Sequence, residues 1–264
     1  MKIKRTVLTG LVLSLLGLAL CIFAACRSDF DLTEDYIKEE ATYGKISKIV
    51  FDGSADNVII SKSSTENNIC YYVSETLSYQ VKYDSLTETL YINEKDKIVI
   101  INPSFRGERT FSINLNENLE SLNIELDAGN IEIKDINISK ATFNLDAGNV
   151  NLINVSIDNI YSDLDAGNFK VSNSNLNKLE LDIDAGNYES NDATITNIIA
   201  DIDTGKFKHN GYITNNADIN VDVGNISLEL YQSQADFCIN GNGPGNINII
   251  YEVNIGKFDI DYLK

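Results

Sequence analysis

The tetrapeptide DAGN begins at Asp127, Asp146, Asp165 and Asp184, each 19 residues after the last. Degenerate copies, DTGK at 203–206 and DVGN at 222–225, keep the same step. A period this short constrains the fold more than any single motif does. One unit of about 20 residues cannot bury its apolar face alone, so it must stack on copies of itself. In blocks of 19 starting at Leu119, Ile138, Ile157, Leu176, Ile195 and Thr214, apolar residues gather at positions 1, 4, 6, 8, 13, 15 and 18. Steps of 2 mark strands with one buried face, and the steps of 3 and 5 mark corners. Helical spacing is not sustained after residue 26. The pattern predicts an all-β, single-stranded β-solenoid with 19-residue rungs, like residues lying above one another at about 4.8 Å.

DAGN fills the step of 5 and is therefore read as a corner. The glycine column is Gly129, Gly148, Gly167, Gly186, Gly205 and Gly224; glycine supplies a positive φ without steric cost. The aspartate is expected to cap backbone N–H groups just ahead of it, as in an Asx turn. A small residue at the next position suits a tight inside corner, and stacked asparagines can form an amide ladder.

Residues 1–26 are a positive start (Lys2, Lys4, Arg5) followed by an uncharged apolar stretch from Val7 to Ala25. That is a signal peptide or membrane anchor helix, not part of the fold, and it sends the rest of the chain across the membrane. The stretch ends in FAAC, similar to the bacterial lipobox except at Phe23. By that resemblance Cys26 carries a lipid; the alternative is a cysteine in an uncleaved membrane helix. Residues 27–44 read as an acidic spacer and 45–264 as the solenoid. Within it, 45–118 are irregular early rungs or a separate small β-domain, 119–232 regular rungs, and 233–264 capping strands.

IVFDGSADNVIIS at 49–61, LYINEKDKIVIIN at 90–102 and FSINLNENLESLNIELDAGNIEI at 111–133 resemble the DUF4097/DUF4098 family of bacterial β-strand-repeat proteins. The resemblance implies a β-solenoid on an exported or membrane-anchored protein. "Adhesin" is that family's functional label, inferred from shape, and it defines no catalytic residues to carry over.

Net charge is −18, from 39 acidic and 21 basic residues. This disfavours nucleic acid, which needs clustered Lys and Arg, and points to cations or a basic partner, either a protein or an envelope polymer. Position 7 reads Glu125, Asn144, Asp163, Asp182, Asp201, Asn220, and position 9 reads Asp127, Asp146, Asp165, Asp184, Asp203, Asp222. Asp163, Asp165, Asp182, Asp184, Asp201 and Asp203 thus form two outward acidic columns, a candidate partner or Ca²⁺ surface. Capping by the position 9 acids offsets their mutual repulsion, so no metal is required and Ca²⁺ is expected to stabilise weakly.

His209 falls on an inward column and reads as core. Cys70 and Cys238, far apart in the stack, are expected to be free, buried thiols. No nucleophile has an identifiable base. The chain therefore reads as a non-enzymatic, extracytoplasmic, membrane-anchored binding or scaffold protein without a cofactor. A β-helix polysaccharide lyase or hydrolase is the alternative, disfavoured because the body's arginines, Arg106 and Arg109, both lie in the irregular region.

Overall fold

The computed structural model describes residues 36–74, 77–95 and 109–263. The signal or anchor segment, Cys26, residues 27–35 of the spacer, and Arg106 lie outside the described residues; residues 37–43, read from the sequence as spacer, are instead a strand paired antiparallel with 67–73, part of the sheet. The strands are β1 (Ile37–Tyr43), β2 (Lys48–Lys62), β3 (Asn67–Val73), β4 (Ser78–Asp84), β5 (Thr89–Lys95), β6 (Thr110–Leu115), β7 (Leu119–Lys134), β8 (Asn137–Ile153), β9 (Ser156–Ser172), β10 (Asn175–Leu230), β11 (Phe237–Ile239) and β12 (Ile247–Tyr262). The fold is all-β, and a long parallel sheet dominates it.

β7, β8, β9 and the start of β10 pair in parallel, like residue on like residue. Leu126 lies on Leu145, Leu145 on Leu164, and Leu164 on Ile183; Gly129, Gly148, Gly167 and Gly186 follow in the same order. The inward columns form one continuous core. Leu126, Leu145, Leu164, Ile183, Ile202 and Val221 at position 8 are at most 1% exposed, and burial at this density supplies the main stabilisation, about 25 cal/mol for each Å² of apolar surface. Aromatic side chains fill position 13, where Phe169, Tyr188 and Phe207 stack with centroids 6.3 and 4.5 Å apart.

Each layer is interrupted at three places, at its two steps of 3 and its step of 5. The ladder skips one pair at position 2, which Glu120, Ser139, Asp158 and Asn177 occupy, and one at DAGN, the aspartates, resuming at the alanines. The third place falls on Asp135, Asn154, Asn173 and Asp192, with φ between 50° and 58°. Asn and Asp tolerate this left-handed conformation best among residues with a side chain. A step of 3 marked this corner in the sequence without identifying these residues as its hinge.

Glycine at DAGN has a stronger cause than φ. A Cβ on Gly148, Gly167, Gly186, Gly205 or Gly224 would overlap the carbonyl oxygen of the glycine one layer below. Gly186 is held by this closeness alone, since its φ lies outside the restricted range. The alanine beside it is not on an inside corner: Ala147, Ala166 and Ala185 are exposed.

The ends differ from the middle. β2 is a full layer, pairing with β7 from Lys48–Ser121 to Ser61–Lys134. On its far side β5 covers residues 48–52 and β6 covers 57–62, both parallel. β1, β3 and β4 add antiparallel strands. At the other end β12 is a further full-length strand in register with β10, Gly256 lying on Gly224. The glycine column thus gains a seventh member, which GNGPGN at 241–246 disguises in the sequence by breaking the frame. Cys70 and Cys238 are free, as expected, but half-buried rather than buried.

Candidate functional site

Stacking brings the predicted acids together. Asp163 pairs with Asn144 below and Asp182 above. Asn220 Nδ2 donates to Asp201 Oδ1 at 3.0 Å, one layer further on. Position 7 is therefore a continuous outward column, and position 9 runs beside it across the buried Leu164 and Ile183. Partial burial, then Asp163, Asp201, Asp184 and Asp203, hold the Asp182 carboxyl above its usual range. The Asp163 charge raises the neighbouring Tyr161 hydroxyl in the same way.

The expected aspartate caps are absent among the described residues. Asp127, Asp146, Asp165, Asp184 and Asp203 accept no backbone N–H; at Asp222 the donor is a side chain, Asn254 Nδ2, at 2.7 Å. The physical reason is the ladder. The alanine and glycine just ahead stay paired with neighbouring layers, so their N–H groups are engaged there. Each adjacent acid pair at about 4.8 Å costs roughly 1 kcal/mol in water, and no backbone donor among the described residues offsets it. Capping therefore cannot be the reason that position 9 is acidic.

The opposite arm carries different chemistry. Asn130, Asn149, Asn168 and Asn187 form the expected amide ladder, each Nδ2 donating to the Oδ1 one layer below at 2.7–2.8 Å, and the ladder begins on Asn57. It stops at Lys206. Lys170, Lys206 and Lys208 share this face with Glu189 around a shallow depression of about 420 Å³.

A buried polar cluster went unnoticed in the sequence. Asp56 sits where later layers have glycine, opposite Gly129. Arg109 Nη2 donates to Glu94 Oε1 at 2.6 Å and Arg109 Nε lies 3.6 Å from Asp56 Oδ1. The Tyr79 hydroxyl donates to Asp56, and Ser54 N donates to Glu94 Oε2 at 2.6 Å. Burial pushes the Asp56 carboxyl up to about 6, against the pull of Tyr79 and Arg109. The signal was available: GSADN aligns with LDAGN, with Asp in the glycine position. The cluster fills the gap at residues 53–56, between the stretches that β5 and β6 cover, and takes up the Ser54 N–H.

No catalytic constellation emerges among the described residues. His209 is fully buried beside Ser190 Oγ, 2.7 Å from Nδ1, and burial lowers it to about 4. No group of three or more His, Cys, Asp or Glu side chains among the described residues is arranged to hold a metal ion.

Comparison with curated proteins gives no match. Among solved structures, the chain is similar to a "putative adhesin" from Parabacteroides distasonis ATCC 8503, with 16% identity, 88% of this chain and 98% of that one covered, and a TM-score of 0.51. It is also similar to a "putative adhesin" from Bacteroides fragilis NCTC 9343 (15% identity, 86% and 97% covered, TM-score 0.46). A third is a "putative lipid binding protein" from Parabacteroides distasonis ATCC 8503 (17% identity, 86% and 97% covered, TM-score 0.46). At these identities the likeness concerns the fold alone. The family model described as Toastrack DUF4097 matches residues 46–249. The chain belongs to the Toastrack DUF4097 family.

Proposed function

We propose that this chain is a non-enzymatic, extracytoplasmic β-solenoid of 19-residue rungs, tethered to the bacterial membrane at its N-terminus, which holds a basic protein or envelope polymer against its acidic arm. The observation that carries this reading is the stack of Asp163, Asp182 and Asp201 beside Asp165, Asp184 and Asp203, in which only Asp201 accepts a hydrogen bond among the described residues, from Asn220 Nδ2. A solvated face needs no such column, and the other five acids repel one another with no cation or donor among the described residues to offset it. A cationic partner would neutralise them. The adhesin description of similar structures agrees with a binding role. The tether is Cys26 by lipidation, or the apolar segment kept as a helix.

The test is capture of partners from envelope extract by the full chain and by the Asp163→Asn/Asp182→Asn/Asp201→Asn variant. Loss of a basic partner by the variant supports the reading; equal capture removes the acidic arm from it. Ca²⁺ is the second candidate for the same columns, and a rise in Tm above about 5 °C with Ca²⁺ against chelator would favour it. Cleavage of any member of a panel of acidic glycans would replace the scaffold with an enzyme.

A further inference from the structure

The C-terminal end of the stack is unfinished. Tyr251, Val253, Phe258, Ile260 and Tyr262 of β12 lie in register on Ile219, Val221, Ile226, Leu228 and Leu230. The latter five are at most 1% exposed, whereas the β12 residues are half-buried. Across this end the Tyr251 and Phe258 rings stack at 3.6 Å. β11 pairs with Ile247–Ile249, and from residue 250 onward the outer edge of β12 has no strand partner among the described residues. Ile250 and Ile255 are 56% and 68% exposed. A long edge with an open core behind it is what natural sheets cover or blunt.

We propose that a second copy of this chain covers it, the two meeting tail to tail through β12. Among the described residues the other end of the sheet presents only the seven-residue antiparallel edges of β1 and β4, so a head-to-tail array would find no edge there that matches the long parallel strand β12. Only an isologous contact uses the same edge twice. A two-fold axis through the corner at Asn254 and Ile255 lays the arm before the corner on the arm after it in the second copy, antiparallel. β11 occupies the edge at 247–249, so the shared ladder runs over residues 250–259. In this register Tyr251 meets Phe258 of the second copy and Glu252 meets Lys257. Both charged side chains point outward and neither side chain has a partner among the described residues, so the pairing is complementary in charge as well as in apolar surface, twice per dimer.

Sedimentation velocity of the full chain in detergent tests this. Wild type is expected to be dimeric. Glu252→Lys and Lys257→Glu are each expected to weaken the dimer by about tenfold or more, and the double swap to restore it. These exposed substitutions leave the core untouched, which circular dichroism checks. A monomer at every concentration up to about 100 µM, a dimer indifferent to either reversal, or a double swap that fails to rescue would each overturn the proposal.

Discussion

At the first corner of the stack the chain carries Asp56; at the same place in later layers it carries glycine. The two solutions serve different neighbours. Inside the stack each corner presses on the corner below, and no Cβ fits. The first corner has a layer on one side only, so a side chain is allowed. The side that no strand covers must then be closed by something else. Arg109, Glu94 and Tyr79 close it, with charge and hydrogen bonds in place of a strand. Regular layers are thus held by repetition and apolar burial, while the end is held by a polar cluster in which each member depends on the others.

The largest expected effect separates the two solutions by side-chain truncation. Arg109→Ala leaves Asp56 and Glu94 buried without their cation and is expected to cost about 3–5 kcal/mol by chemical denaturation. A cost near zero would mean that the end is held by its strands alone. Gly167→Ala comes next. The new Cβ must displace the backbone of the Gly148 layer, at a cost of about 3 kcal/mol or more, measured the same way. Adding two methyl groups at the exposed Ala166 (Ala166→Val) is the control and should change stability little.

pH moves the two regions in opposite directions. Asp56 titrates at about 6 when folded against 3.8 as its ordinary value. The folded chain binds this proton more tightly, so the group adds stability as pH falls from above 6 toward 4. His209 titrates at about 4 against 6.5. Here the unfolded chain takes the proton first, so its contribution is complete above 6.5 and is lost as pH falls toward 4. Each swing is at most about 3 kcal/mol. Melting curves across this window should show Asp56→Asn losing the gain on acidification and His209→Gln losing the penalty. Identical pH slopes for both variants and wild type would contradict the burial of these groups.

The smallest effect concerns the acidic arm. Replacing Asp163, Asp182 and Asp201 together by Asn removes two adjacent acid pairs and is expected to raise stability by about 2 kcal/mol at low salt and by little at high salt, where repulsion is screened. A destabilisation would indicate an unrecognised role for these carboxylates in the fold.

The regular layers were legible because their cause is local and repeated: a step of 2, an aspartate, a glycine, an asparagine. Even there, register assigned the glycine to inter-layer contact, and it removed the cap expected of Asp165 and its column mates by engaging the donors elsewhere. The end was not legible because its members, Asp56, Tyr79, Glu94 and Arg109, are scattered over 54 positions and meet only after β2, β5 and β6 have paired. Capping strands were read over 233–264, but the interruption at 231–246 hid that β12 is a further layer in register, although VNIGK at 253–257 occupies the columns of VDVGN at 221–225.

Cross-linking tests the layer-on-layer register itself. Cysteines at Asp146 and Asp165, both exposed corner positions in adjacent layers, fall within the roughly 7 Å Cα reach of a disulfide. Cysteines at Asp146 and Asp184, two layers apart at about 9.6 Å, do not. Peptide mapping after mild oxidation should find the first pair joined and the second free. Equal yields, or a join between 146 and 184 alone, would contradict the stacking on which both faces and both ends depend.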